Sequence, residues 1–266
     1  MGKRKENTNA LLTAAQWLGG FLGVYPDKLQ RALKGQDLTV QLKKNSIHLD
    51  DVLSWDKWSK SAEIIAYIAK GNVFSVFSTE INELSSLTKT TVLPRHEIDI
   101  RQIEGLSSSR SDLSRHTDIK AITKDHARVE TVISLSNLKD LLVDVAGNIF
   151  KPTSLNHIKQ HAWDGRLLVS NSDGSHRIAA ANLIASELNE VATIRSDLHL
   201  IQIDPVTLSR LSIQFDMFLL PSEDIFFNRV TKALERDLIS HYRGLIINRT
   251  QSINLYVYFF PKDGLK

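Results

Sequence analysis

The spacing of apolar residues divides the chain into short strand-like runs and longer helix-like ones. Ala10, Ala14, Trp17, Leu18, Phe21 and Leu22 recur at helical spacing, and helix-like segments extend to about Lys34, broken by Gly23 and Pro26. Leu38, Val40 and Leu42, then Ile47 and Leu49, alternate on either side of Lys44-Asn45, the pattern of a β-hairpin. Ser59 is placed to cap a helix through Lys70, with Gly71 at its end, and Val73, Phe74, Val76 and Phe77 follow as a buried strand. A polar stretch at 84–91 leads to a boundary at Pro94, and Ile98, Ile100 and Ile103 read as the next strand. Residues 129–135 predict another, and Ser136 a helix cap for Leu138, Leu141, Leu142 and Val145, stopped by Gly147. The region from Leu155 through Ile158 to Trp163 reads as helical.

The clearest succession follows. Leu167, Leu168 and Val169 form a strand-length run, an Ala-rich helical run extends to about Leu188, and 198–203 is strand-like again, ended by Pro205. Towards the C-terminus Ser222 precedes a long amphipathic helix with Ile225, Val230, Ala233, Leu234, Leu238 and Tyr242 on one face. Residues 245–247 and 255–260 then predict a strand pair. The fold class expected is α/β in the broad, α+β sense. Three parts are expected: an accessory region at 1–93, a core at 94–205, and a helix and strand-pair extension at 206–266.

Composition narrows the chemistry. The net charge is +3 and there is no cysteine, which excludes disulfides, thiolate metal sites and cysteine nucleophiles together. Lys3, Arg4 and Lys5 ahead of an apolar run loosely imitate a secretory signal, but Gln16 and Gly19-Gly20 interrupt it, and Glu6 stands against myristoylation. No stretch approaches the ~18 apolar residues of a membrane span, so a cytoplasmic protein with no membrane partner is expected.

The candidate chemistry lies at Asp173-Gly174-Ser175-His176-Arg177, between the 167–169 strand and the Ala-rich helix. A glycine there permits a tight turn and a close backbone approach to a ligand. The helix start offers unpaired N–H groups and a partial positive charge. His176 and Arg177 add basic groups where a helix ordinarily prefers acids, so an anion is expected, phosphate first. Arg177 could clamp phosphate oxygens, His176 donate to phosphate or act as acid or base, and Asp173 hold Mg²⁺ or orient a nucleophile. The plainer alternative is turn and cap chemistry, with Arg177 paired to Glu187 or another nearby acid. The loop at 107–118 reads as a solvated connection whose Arg110 and Arg115 are candidate phosphate contacts. His157 and His161, four apart on the predicted helix, lack a third ligand and read as a solvated face. Trp55, Trp58 and Trp163 are candidates for base stacking, with core packing the better reading.

The strand–DGSHR–helix unit resembles the ParB/sulfiredoxin superfamily, through Asp173, Gly174, His176, Arg177, Ala179 and Ala180 with the strand at 198–203. The resemblance spans about residues 97–204. It implies a mixed sheet with flanking helices and a loop in which Gly174, Ser175, His176 and Arg177 hold the phosphates of a nucleotide (ATP, ADP or CTP) with Mg²⁺. Ser175 stands where sulfiredoxins carry their reactive cysteine, so their redox chemistry is not implied. The last ~60 residues lack the helix-turn-helix pattern of partition proteins. Free-serine kinases and DndB-type proteins of this superfamily carry a more similar motif. The first group implies a phosphotransferase or nucleotidase, the second a DNA-associated binding or regulatory protein of defence or mobile elements.

Overall fold

The computed structural model describes residues 47–125, 132–221, 232, 235, 240–247 and 255–262. The predicted N-terminal helices, the first arm of the 38–49 hairpin, most of the 129–135 strand and the helix after Ser222 lie outside those residues. Ten strands and three α-helices are found among them, an α+β fold in two compact units.

One unit is built from both ends of the described chain, residues 53–89 with 203 onward. Its five-stranded sheet has the order β2-β1-β9-β10-β8, with β1 Glu63–Lys70, β2 Val73–Glu80, β8 Phe215–Pro221, β9 His241–Ile247 and β10 Leu255–Pro261. Every paired neighbour is antiparallel. The segment predicted as a helix from Ser59 to Lys70 is instead β1. Ile64 and Ala66 are buried while Glu63 and Ile65 are exposed, a period of two that fits a strand, and Ser59 closes a 3₁₀ turn. The strand pair predicted at the C-terminus is found, with Tyr258 opposite Arg243. The three-part expectation separated 1–93 from 206–266, whereas β1 and β2 of the first region share this sheet with β8, β9 and β10 of the second.

The second unit holds residues 90–202 with the segment at 43–52. Its sheet is mixed, in the order β3-β7-β5-β6-β4. The strands are β3 Thr88–Asp99, β4 Ile103–Leu106, β5 His157–His161, β6 Leu167–Ser170 and β7 Thr193–Ile203. Pro94 lies inside β3 rather than at a boundary, because β3 is an edge strand where a missing N–H is tolerated. The segment expected to be helical around Leu155–Trp163 forms β5. The four-residue spacing of His157 and His161 that suits one helix face also suits one strand face, and Ile158 between them is packed between Val169 and Leu198.

Against this sheet lie α1 Leu135–Asp144 and α2 Ser175–Glu187. Ala179, Ala181, Ile178, Ile184 and Ala185 are fully buried with Ile158, Val169 and Leu198 in one core. Asn182 is buried in the same helix, and its Nδ2 donates to the carbonyls of Ile100 and Ile103 at 2.8 and 3.1 Å. Those bonds tie α2 to the turn that joins β3 to β4. α1 is capped by Ser134 rather than Ser136, and it widens into a π turn over Val145–Ile149 instead of stopping at Gly147. β7 ends at Ile203, ahead of Pro205 as expected, and the proline also opens an element: α3 Pro205–Gln214 has it in its first turn, where no N–H is needed.

Candidate functional site

β6 delivers the chain to Asn171, and a turn through Ser172 and Asp173 reaches Gly174, which is left-handed at φ 74°. A Cβ at Gly174 would stand 2.2 Å from Ile149 Cδ1, so both the backbone angle and the space demand glycine. α2 starts at the next residue. No side chain caps it, and no acid lies in its first turn. Arg177 N and Ile178 N both donate to Gly174 O, leaving the N–H groups of Ser175 and His176 without an intrahelical acceptor, as the geometry of a helix start requires.

The serine-rich loop, expected to be a solvated connection, closes over this start. Ser107 and Asn171 exchange hydrogen bonds: Ser107 Oγ donates to Asn171 O at 2.9 Å, and Asn171 N donates to Ser107 Oγ at 2.8 Å. Asn171 Nδ2 donates to Ser108 O at 3.0 Å and to Asp173 O at 2.8 Å, so one buried amide fixes both the loop and the DGSHR turn. Ser175 Oγ donates to Ser109 Oγ at 3.1 Å, and Ser111 N donates to the same oxygen at 3.1 Å. With two donors directed at it, the Ser109 hydroxyl retains its own proton to give. Ser111 Oγ and His176 Nε2 are 3.0 Å apart.

The five predicted residues therefore meet different fates. Gly174 forms the turn and Ser175 is buried at 5% exposure, its hydroxyl in the serine network. His176 faces the loop through Ser111. Arg177 pairs with Asp144 at the end of α1, with 3.1 Å between Nη1 and Oδ2, rather than with Glu187. That pair is half-exposed, so the guanidinium is held beside the helix start without being buried. Asp173 is exposed. Among the described residues no group of three or more histidine, aspartate or glutamate side chains is arranged to hold a metal ion. A divalent cation held by Asp173 would have too few protein ligands to be bound by the chain alone. That fits Mg²⁺ only where substrate phosphates and water supply the other ligands. Of the two loop arginines, Arg115 pairs with Asp112 at 3.1 Å and Arg110 is exposed between Ser109 and Ser111.

Sequence reasoning missed Asn171, Ser109, Ser111 and Asp144. Asn171 carried a signal, since an asparagine directly after a strand is a turn-forming residue. The serines carried none, because their partners lie some sixty residues away. Trp55 and Trp58 are buried, with Trp58 edge-on to Phe259, and Trp163 lies against the buried Leu168 cluster. Trp55 and Trp58 therefore present no open face for base stacking, while Trp163 is only partly buried.

A second histidine group lies elsewhere in the same unit. His157 on β5 and His199 on β7 stack with ring centroids 4.0 Å apart. His157 Nδ1 donates to Leu155 O at 2.8 Å, and its buried Nε2 has no hydrogen-bond partner. Burial holds both imidazoles below the ordinary histidine pKa, and the neighbouring Lys159 adds to this while Asp197 opposes it.

The fold and site thus define an α+β protein whose strand–glycine turn–helix unit is fastened to a serine loop. The chain belongs to the family described as Family of unknown function (DUF6685), whose model matches residues 93–264. The match takes in the second half of β3, β4 to β10 and every residue of the site. No curated protein and no solved structure matches the chain. Among the described residues no helix is long and apolar enough to cross a membrane.

Proposed function

We propose that this protein binds a nucleotide through its phosphates at the start of α2, on a ParB/sulfiredoxin-like core. The observation that carries the reading is the uncapped N-terminus of α2, beside which Ser109 keeps a hydroxyl proton to donate and Arg177 is held by Asp144. The N–H groups of a helix start, a hydroxyl donor and a guanidinium are the groups that recognise a phosphate. The ligand is ATP, ADP or CTP. Mg²⁺ belongs to the bound phosphates, with Asp173 as its one protein carboxylate, and supplies charge neutralisation there. Such a nucleotide pool fits a cytoplasmic protein. The exposed Arg110 between Ser109 and Ser111 favours DNA backbone as the second reading.

Thermal-shift measurements with ATP, ADP, CTP and inorganic phosphate, each with and without Mg²⁺, test the reading. A nucleotide present at 100 times its Kd adds about 2.7 kcal/mol of stability. Stabilisation that disappears in Arg177→Ala supports nucleotide binding. No response to any nucleotide, together with DNA binding that weakens steeply with salt, would replace it with the second reading.

A further inference from the structure

Ser111 differs from the other hydroxyls around the start of α2. Ser175 is buried and spends its proton on Ser109, while Ser109 has no base beside it among the hydrogen bonds described. Ser111 is half-buried, with its Oγ 3.0 Å from His176 Nε2. When His176 carries its proton on Nδ1, Nε2 accepts the Ser111 hydroxyl. A hydroxyl hydrogen-bonded to an imidazole nitrogen is the arrangement that makes serine a nucleophile near neutral pH. The pair is pinned from both sides: Ser111 N–H is bonded to Ser109, and His176 is the second residue of a helix whose start is fixed by Gly174 and Asn171. The positive end of α2 stands at the same place and would stabilise negative charge developing on an incoming group.

We infer that Ser111 is a phosphoryl acceptor, with His176 as its general base, so that the protein phosphorylates itself at this loop. The inference rests on the nucleotide reading. Ser111 Oγ attacks the γ-phosphorus of a nucleoside triphosphate and an O–P bond forms. The bond from the γ-phosphorus to the β–γ bridging oxygen breaks, and the nucleoside diphosphate leaves with that electron pair. The Ser111 proton passes to His176 Nε2. The product is a phosphoserine beside an imidazolium at the start of α2, charges that favour the modified loop.

The full chain is incubated with ATP or CTP and Mg²⁺, and its intact mass is followed while thermal stability is read on the same samples. The expected result is the gain of one phosphoryl group, mapped by peptide fragmentation to Ser111, absent with a β,γ-methylene analogue that still stabilises the protein. Ser111→Ala removes the gain and Ser111→Thr, which keeps a hydroxyl, retains part of it. His176→Gln slows it by about 100-fold or more and removes the imidazole from its pH profile. Stabilisation by the triphosphate with no mass gain, or a gain that maps elsewhere or survives Ser111→Ala, overturns the inference and leaves nucleotide binding standing. No stabilisation by any nucleotide overturns both.

Discussion

The starts of α2 and α3 are built on opposite principles. At α3, Asp204 is buried and its Oδ2 accepts from Thr207 N at 3.0 Å and from Thr207 Oγ1 at 2.7 Å, while Lys89 Nζ donates to its Oδ1 at 2.7 Å. The Lys89 ammonium and the two Thr207 donors hold the Asp204 carboxyl at a pKa of about 2. The N–H groups of Thr207 and Leu208 are thus met from within the chain, by the Asp204 carboxylate and carbonyl. At α2 the cap position is a glycine, the first turn carries His176 and Arg177, and serine hydroxyls and the Asp144 carboxylate meet side chains of that turn without capping the helix. The starts of α1 and α3 are closed by the side chains of Ser134 and Asp204, whereas no side chain caps α2, the start at which the proposed reading places an anion.

The contrast can be broken most severely at Gly174. Gly174→Ala should cost about 2–4 kcal/mol, from the left-handed backbone and from the displacement of Ile149, read as a lowered denaturation midpoint. A substitution tolerated without loss would show that the turn is not held as described. Arg177→Ala gives the next largest effect, and it should separate two quantities. Loss of the half-exposed pair with Asp144 changes stability by about 0.5 kcal/mol or less. Loss of a phosphate contact weakens nucleotide binding by roughly 10- to 100-fold, measured by titration calorimetry. Equal small effects on both would make the guanidinium a surface ion pair and nothing more.

Acid distinguishes the two helix starts more gently. The Asp204 pKa is depressed on folding, so its contribution is full above the unfolded carboxylate pKa, near 4, and is lost as pH falls from about 4 towards 2. Asp204→Ala should lower the melting temperature at pH 7 and flatten the stability profile in that window. The smallest effect belongs to the His157–His199 stack. Both pKa values are lowered by burial, so the neutral pair is fully stabilising above about pH 6.5, and stability declines as pH falls below it. His199→Gln should reduce that slope without touching the Asp204 window, checked by denaturation at pH 7, 6 and 5.

The portion of the fold that could be read from the chain is the portion decided locally. Leu167, Leu168 and Val169, the alanines of α2 and the C-terminal strand pair each announce their type within a few residues. β1 did not, because its pairing with β9 joins residues far apart in sequence and overrides the apparent cap at Ser59. Pro205 marks the end of β7 locally, while the helix it opens is signalled only by the Asp204 cap beside it. At the site, the glycine turn and the two basic residues were legible. The fastening of a separate loop by Asn171, and the approach of Ser111 to His176, depend on the parallel pairing of β4 with β6, which no local pattern encodes.

The side chain under Gly174 gives the molecule an unusual division of labour. Ile149 is wholly buried, yet its terminal methyl is the surface on which the turn of the site rests. Trimming that methyl would let the turn settle and would change how the α2 amides are aimed, with no polar group altered. A survey scoring ligand affinity rather than folding would then find a greasy residue among its strongest hits. The site's calibration is set from inside the core.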